Sequence, residues 1–447
     1  MSISEVVRRV VESAVVGEAL EAFAVDSVET SARVHDGEVE ALTSAATRGL
    51  GVRVIRNARL GYAFTADLSD AGLVQAVEAA RANAALSMPD EANVLPGPAV
   101  CEPLEGIAFP DVDEMAPEAK VAMALELESI ARAADPRVRA VEAAQYADGR
   151  TRVALASTAG VFGTYERTDA AGVVAVMAGE GAETQTGFGF SMGRRPSEVD
   201  VTAAGREAAE RATRLLGARK PPSARVPIVF DPMVTASLLG VVARALSAEA
   251  VRKGRSLFAG KLGEQVAAAG IDLVDDARLL AGPAASPFDD EGVPSRRNVL
   301  LRGGVLEALL HNTFSAAKDG VAPTGNGYRG SFKATPGISP TNLFLVAKTA
   351  SVAEILSAAE GGFYVQDVAG LHSGTNPVSG DFSVGASGLW IRSGALGEPA
   401  REVTVAGNLS QILHDLAMVG SDLRFFPLEG GMGGATVLIT EMTVAGA

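Results

Sequence analysis

The sequence predicts an α+β fold: an α/β N-terminal region with a mixed sheet and helices, followed by a β-rich C-terminal domain. Two observations support this prediction. In the first half of the chain, stretches with apolar residues at helical spacing alternate with strand-like runs. After about Gly263, short β-like runs separated by glycine turns continue nearly to the C-terminus. The chain has 447 residues, which is enough for two or three domains with sizeable cores.

Residues 1–219 are expected to form the N-terminal domain, with candidate subregions at 1–95 and 110–219. Its first helix is predicted over residues 4–22, where apolar side chains recur at helical spacing between charges. Short strands follow, and Asp36-Gly37 is typical of a hairpin turn. The remaining elements of this region are predicted as helices over 69–87, 116–134 and 197–217, with strand-like alternation over 138–192.

The Lys-Pro-Pro-Ser sequence at 220–223 is the strongest linker candidate in the chain. Beyond it we expect a β-rich C-terminal domain over residues 223–447. This domain is predicted to start with a strand at 226–230. One long helical segment is predicted next, near 231–252, because Asp231-Pro232 is a typical helix start.

The composition argues against several classes of partner. The net charge of −15 and the pI of about 4.9 disfavour a nucleic-acid partner, since binding phosphates requires a basic surface. The single cysteine, Cys101, cannot form an intrachain disulfide or a cysteine-based zinc cluster. No apolar run approaches the roughly 20 residues that span a bilayer, and the charged N-terminus is unlike a signal peptide. We therefore expect a cytoplasmic protein that does not bind membranes.

Histidine-based chemistry has one candidate in this sequence. None of the four histidines has another histidine three to five residues away, as a helical zinc motif requires. His372 lies in a polar stretch with Asp381, which suggests a serine–histidine–acid site. Such a site needs a nucleophile elbow such as GxSxG, and that stretch lacks one. Ordinary loop polarity explains the same residues, so both interpretations stay open.

The acidic cluster Asp289-Asp290-Glu291 is a second candidate site. Its carboxylates could bind a hard cation, but the cluster lacks the alternating spacing of an EF-hand loop. A polar turn held by its own carboxylates explains the cluster as well. The glycine-rich pieces at 325–330 and 430–434 are interpreted as tight turns, because neither has the lysine and hydroxyl of a phosphate loop.

Several phrases of the sequence resemble the TldD/PmbA family in their order and spacing. In the C-terminal half these are SLFAGKLGE (256–264), FDDEGVP (288–294) and APTGNGYRGS (322–331). Two further runs, GDFSVGASGLWIRSG (380–394) and VTVAGNLSQIL (403–413), look closer to the PmbA/TldE branch. The resemblance covers nearly the whole chain. It implies a cytoplasmic metalloprotease complex built from a TldD-like and a TldE-like subunit that share one fold.

The resemblance also implies where a zinc site would lie in the TldD branch, which carries HExxxH on a helix. That motif falls here on residues 239–244, where Leu239, Gly240 and Arg244 replace the two histidines and the glutamate. The cysteine ligand of the TldD branch would fall around 430–434, where this chain has none. We therefore expect no metal ligand and no catalytic residue in this chain.

On this basis the chain is interpreted as a non-catalytic, zinc-site-lacking subunit whose TldD-like partner holds the zinc and hydrolyses peptides or unfolded segments. The most family-like loops contain the candidate cleft or interface residues, namely Asp289, Asp290, Glu291, Thr324, Gly325, Asn326, His372 and Asp381. Two alternatives are a homodimeric peptide-binding or chaperone-like protein without hydrolytic activity, and an independent hydrolase that uses an unrecognised site. A homodimer of the chain alone is also compatible with a shared fold.

Overall fold

The structure is a computed structural model of the whole chain. It describes residues 1–426, 428 and 430–446, and the side chains of His372 and Ser373 lie outside the described part. Helices account for 25% of the residues and strands for 40%. The predicted α+β class is therefore confirmed.

The N-terminal region contains two helices that flank its first three strands, followed by further helices and three long strands. In chain order these elements are α1 (Ile3–Glu12), β1 (Ala19–His35), β2 (Glu38–Arg56), β3 (Arg59–Thr65), α2 (Asp70–Leu86), α3 (Asp111–Glu114), α4 (Pro117–Ala133), β4 (Val138–Ser157), β5 (Phe162–Ala178), β6 (Gln185–Gly193) and α5 (Val201–Thr213).

The described strands of this region form one six-stranded sheet in the order β3-β2-β1-β4-β5-β6. All of its pairings are antiparallel, so the mixed pairing that we expected here is absent from the described part of this sheet. The helices cover one face of the sheet, where Val6 and Val7 of α1 pack with Leu20 of β1. The opposite face, which carries Phe23 and Val153, is turned towards the C-terminal region.

The C-terminal region contains mostly short strands, with two consecutive helices near its start. Its elements are β7 (Ala224–Phe230), α6 (Pro232–Ala245), α7 (Ala248–Arg252), β8 (Leu273–Asp276), β9 (Arg297–Arg302), β10 (Val305–Leu306), α8 (Thr313–Asp319), β11 (Gly327–Tyr328), β12 (Gly337–Ile338), β13 (Asn342–Leu345), α9 (Val352–Ala358), β14 (Phe363–Ala369), α10 (Leu371–Gly374), β15 (Asp381–Arg392), β16 (Ala395–Asn408), α11 (Leu409–Asp415), β17 (Leu416–Val419), β18 (Arg424–Phe426), β19 (Gly431–Gly434) and β20 (Val437–Ala445).

Two mixed sheets organise this region. One has the order β10-β9-β8-β13-β19-β18, with a parallel pair between β13 and β19. The other has the order β16-β15-β14-β7-β20-β17, and an additional pairing between β16 and β20 closes it on itself. Helix α6 packs against strands of both sheets and contributes buried residues to the largest apolar core.

Two helices differ from the sequence-based expectation. The first helix ends at Glu12 instead of continuing to residue 22, because residues 19–35 pair with β2 along their whole length. The long helical segment near 231–252 is interrupted between α6 and α7. The backbone of Leu310 causes the break: it donates its N–H to the carbonyl of Leu246 and accepts the N–H of Ala248. Within the described residues, no helix has the length and apolarity that crossing a bilayer requires.

Candidate functional site

The acidic loop between β8 and β9 is buried at the boundary between the N-terminal sheet and the C-terminal region. Asp289 fixes the shape of this loop, because its carboxylate accepts backbone N–H groups from Glu291 and Val293 at 2.9 Å and from Gly327 at 2.7 Å. Burial, with the neighbouring charge of Glu291, raises the pKa of the Asp289 carboxyl well above its usual range. Asp289 thus holds the turn through its own carboxylate, which is one of the two interpretations that the sequence left open for this cluster.

A chain of alternating charges links this loop to the N-terminal sheet. Glu291 accepts from Arg53 of β2 at 2.9 Å, and Arg53 also donates to Glu21 of β1 at 2.6 Å. Glu21 then pairs with Arg329 on its other oxygen. Each of these side chains is at most 4% exposed. The two carboxylates and the two guanidinium groups have a formal net charge of zero. Together they join the N-terminal and C-terminal regions across a buried boundary.

Asp290 and Arg329 connect the acidic loop to the glycine-rich loop at 325–330. The Asp290 carboxylate accepts the backbone N–H of Arg329 at 2.7 Å, and Arg329 Nε donates to the Asp290 carbonyl at 3.1 Å. Burial raises the pKa of Asp290. The Arg329 guanidinium lies 4.9 Å from the ring centroid of Phe23, which adds a cation–π contact.

The sequence-predicted residues Thr324, Gly325 and Asn326 lie beside this loop. The Thr324 hydroxyl is 2.7 Å from Asn326 Oδ1, and Asn326 Nδ2 donates to Asp275 at 2.6 Å. Asp275 also accepts the backbone N–H of Thr341 at 2.7 Å. Burial raises the pKa of Asp275 to about 6. The structure therefore brings together the six predicted residues at 289–291 and 324–326.

A cavity of about 780 Å³ opens between the uncovered face of the N-terminal sheet and these loops. Its floor is the sheet, from which β1, β2, β4, β5 and β6 contribute residues, and its roof includes the loops at 283–290 and 325–332. Most of the wall is apolar or aromatic. Its polar part includes Asp289, Asp290, Gly325 and Asn326, so four of the sequence-predicted residues line the cavity.

The other predicted loop residues lie elsewhere. Asp381 is exposed at the start of β15, where it accepts from Asn408 Nδ2 at 2.8 Å, and this hydrogen bond lowers the pKa of its carboxyl. It is absent from the described lining of the cavity. The side chain of His372 lies outside the described part of the structure. A pairing of His372 with Asp381 therefore has no geometric support in the described residues.

Helix α6 carries the three positions on which the resemblance to the TldD branch places its metal motif. Leu239 is buried in the largest core, Gly240 is buried beside it, and Arg244 lies on the exposed side of the helix. Leu239 has no donor atom and Gly240 has no side chain, so these residues do not fit a zinc site. Among the described residues, no group of three or more His, Cys, Asp or Glu side chains is placed to hold a metal ion.

Strand β19 packs directly on the first turn of α6. A Cβ atom on Gly434 would lie 1.8 Å from the carbonyl oxygen of Pro232 and 2.9 Å from the amide nitrogen of Ala236. Both contacts are to helix backbone, which cannot rotate out of the way. A side chain at 434, including the cysteine expected nearby in the TldD branch, therefore cannot be accommodated unless α6 moves.

Among the polar residues that hold these loops, sequence reasoning missed Glu21, Arg53, Asp275 and Arg329. Arg53 interrupts the apolar run GVRVI, and Glu21 is its directly opposite partner across the β1–β2 pair. A charge inside such a run is a signal of a buried ion pair, because a lone buried charge is too costly. Asp275 lies within the short buried strand β8, directly after Leu273 and Val274, and gave a similar signal.

Family models match three consecutive parts of the chain. The PmbA/TldA metallopeptidase domain 1 matches residues 20–84, the central domain matches 110–216 and the C-terminal domain matches 223–446. The fold and these matches define a protein built on a metallopeptidase scaffold.

Individual proteins of known sequence or structure are similar to this chain over nearly its whole length. Metalloprotease PmbA of Escherichia coli O157:H7 is 27% identical over 418 residues, which cover 92% of this chain and 88% of that protein. A metalloprotease TldD homolog of Haemophilus influenzae is 26% identical over 440 residues, covering 92% and 90%. TldE from Thermococcus kodakarensis shares the fold with a TM-score of 0.91 at 24% identity, covering 100% of both chains. The chain belongs to the PmbA/TldD metallopeptidase family and is of the PmbA/TldE type.

Proposed function

We propose that this chain is the zinc-lacking subunit of a cytoplasmic two-subunit metalloprotease, in which a TldD-type partner holds the zinc and cleaves the peptide. The packing of α6 against β19 carries this proposal. A hydrolytic zinc needs nitrogen, sulfur or oxygen ligands and a base beside its bound water. Here the corresponding helix positions are Leu239 and Gly240 in an apolar core, and the backbone contact of Gly434 fills the space of a further ligand.

Strand β2 offers a surface for the proposed partner. Residues 38–48 of this strand are all exposed, although they pair with β1 along one side. Strand β3 pairs with β2 only from Leu50 onwards, and no other described strand covers the free edge at 38–48. The stretch from Ala41 to Thr47 carries no charge. An uncharged free edge of this length favours pairing with a strand of another subunit.

The cavity supports a role in handling peptides, and it also supports the first alternative, a homodimeric peptide-binding protein without activity. The two functions differ in whether peptide is cleaved once a TldD-type partner is present. An independent hydrolase would cleave peptide alone. That alternative has no catalytic pair among the described residues around Asp381.

The test is peptide hydrolysis with zinc present, using this chain alone, the TldD-type protein of the same genome alone, and the mixture. We expect cleavage to require the partner and to be strongest in the mixture, because the ligands and the general base are in the partner. The double variant Leu42→Lys/Ala45→Lys should remove the stimulation by this chain, because lysines on both faces of an edge strand oppose pairing.

The matched control is Leu86→Lys, which adds a lysine at a position that is 86% exposed at the end of α2. It should stimulate the partner as fully as the wild type does. Zinc-dependent cleavage by this chain alone would contradict the proposal. A mixture without activity, with peptide bound to this chain, would favour the homodimeric binding protein.

A further inference from the structure

Two oppositely charged side chains on β5 face the cavity two residues apart. Arg167 and Asp169 both line it, and no hydrogen bond or ion pair within the described residues engages either side chain. By contrast, Glu21, Arg53 and Arg329 at the same boundary already form ion pairs with one another. Asp169 and Asp290 lie in the same cavity wall as Arg167 but are not ion-paired with it, so the donors of its guanidinium are available to a ligand.

The surroundings of Arg167 favour a carboxylate. Thr151 lies directly opposite Arg167 on the neighbouring strand, and the next pair on the same face of the two strands is the apolar Val153 with Tyr165. A charge-assisted hydrogen bond is stronger in such a partly desolvated space than in open water. The planar guanidinium can also donate two parallel hydrogen bonds to one carboxylate, which a lysine cannot do.

Asp169 adds a second contact at a defined distance. It lies two residues beyond Arg167 on the same face of β5, and strand geometry places the two positions about 6.6 Å apart. Desolvation by the surrounding protein raises the pKa of Asp169 even though the residue is exposed to solvent, so pairing with a donor would stabilise its charged form. An extended peptide has the same rise per residue as a strand. When Arg167 binds the carboxylate of an extended peptide, the peptide residue two positions before the one that carries the carboxylate therefore lies beside Asp169.

We propose that this subunit binds the carboxylate of an extended peptide in the cavity, with Arg167 as the anion-binding residue and Asp169 accepting from an N–H or ammonium group of the same peptide. The apolar walls take the side chain next to the carboxylate. This inference rests on the proposed function insofar as peptides are the ligands. It adds that the zinc-lacking subunit has a peptide site of its own.

The test is fluorescence anisotropy with this chain alone and a fluorescein-labelled hexapeptide that ends in Lys-Ala-Phe. The peptide is used as the free acid, as the C-terminal amide, and as an amide with glutamate in place of the penultimate alanine. We expect the free acid to bind, and Arg167→Gln to weaken it at least tenfold. Amidation should weaken binding to the wild type by a similar factor and have little further effect on Arg167→Gln, because both changes remove the same interaction.

The glutamate-containing amide separates the two sources of a carboxylate. Binding of this peptide as tightly as the free acid, with the same loss in Arg167→Gln, assigns the site to an acidic side chain and supports the role of Arg167. Asp169→Asn should weaken the peptide with lysine more than one with serine at that position. A larger loss of affinity for the lysine peptide would show that Asp169 contacts the lysine side chain.

Arg152→Gln is the matched control, because Arg152 lies on the neighbouring strand β4, pairs with Glu166 and is absent from the described lining of the cavity. It should bind all three peptides as the wild type does, and Arg167→Gln should keep the wild-type melting temperature. The proposal is overturned if the free acid does not bind the wild type or if Arg167→Gln binds it equally well. Binding is read on this chain alone and hydrolysis on the mixture, so either proposal can fail without the other.

Discussion

Replacing Arg53 by methionine is expected to lower the free energy of unfolding by about 3–5 kcal/mol, the usual cost of breaking a buried ion pair. Arg53 is 4% exposed and donates to both Glu21 and Glu291. Its removal leaves Glu291 with a backbone N–H from Thr313 and no cation beside it. The side chain also joins β2 to the C-terminal region, so the variant should loosen the boundary between the two regions. Urea unfolding followed by circular dichroism measures the change.

Arg48→Met is the control for this experiment. Arg48 lies on the same strand and its guanidinium is 3.5 Å from Asp26, but its side chain is 45% exposed. An exposed ion pair contributes about 0–1 kcal/mol, so this variant should unfold nearly as the wild type does. A loss below about 1 kcal/mol for Arg53→Met would contradict the role that we assign to the buried charges.

Gly434→Ala is expected to lower the free energy of unfolding by about 3 kcal/mol, at the upper end of the usual cost of overpacking. The added Cβ would lie 1.8 Å from the carbonyl oxygen of Pro232, and neither backbone segment can turn away. Relief requires α6 to move off β19, which would disturb the largest apolar core. Thermal and urea unfolding of the two proteins measure the effect.

Gly97→Ala is the matched glycine substitution, since a Cβ at residue 97 would meet no atom within 4 Å. It should leave stability unchanged or raise it slightly through the unfolded chain. Equal stability of Gly434→Ala and the wild type would mean that α6 can move away at little cost. The steric argument against a ligand at this position would then be wrong.

The local elements were largely predictable from the sequence. Helices α2 and α4 follow apolar periodicity closely, and Asp36-Gly37 forms the β1–β2 turn. The N-terminal helix was predicted too long, because the spacing of small apolar residues near Ala19 fits a helix as well as a strand. The deciding factor is the pairing with β2 at up to 36 residues' separation along the chain, from Ala19 to Ile55, which local patterns do not contain.

The site was predictable only in part. The loops at 289–291 and 324–326 were selected for their resemblance to the family, and the structure brings them together around one cavity. Glu21, Arg53 and Arg329 were missed because their partners are far apart in sequence. Arg167 and Asp169 were missed for a different reason. Alternation along β5 places both residues on one face of the sheet, but it does not show which part of the protein packs against that face. Which face meets another region is decided by tertiary packing.

The most direct test of the central claim is the zinc content of this chain, its TldD-type partner and their complex after dialysis against zinc. Mass spectrometry of the metal in each purified sample gives the result. The account predicts stoichiometric zinc in the partner and in the complex, with no stoichiometric zinc in this chain, because Leu239 and Gly240 offer no ligand. Stoichiometric, tightly held zinc in this chain alone would contradict the account.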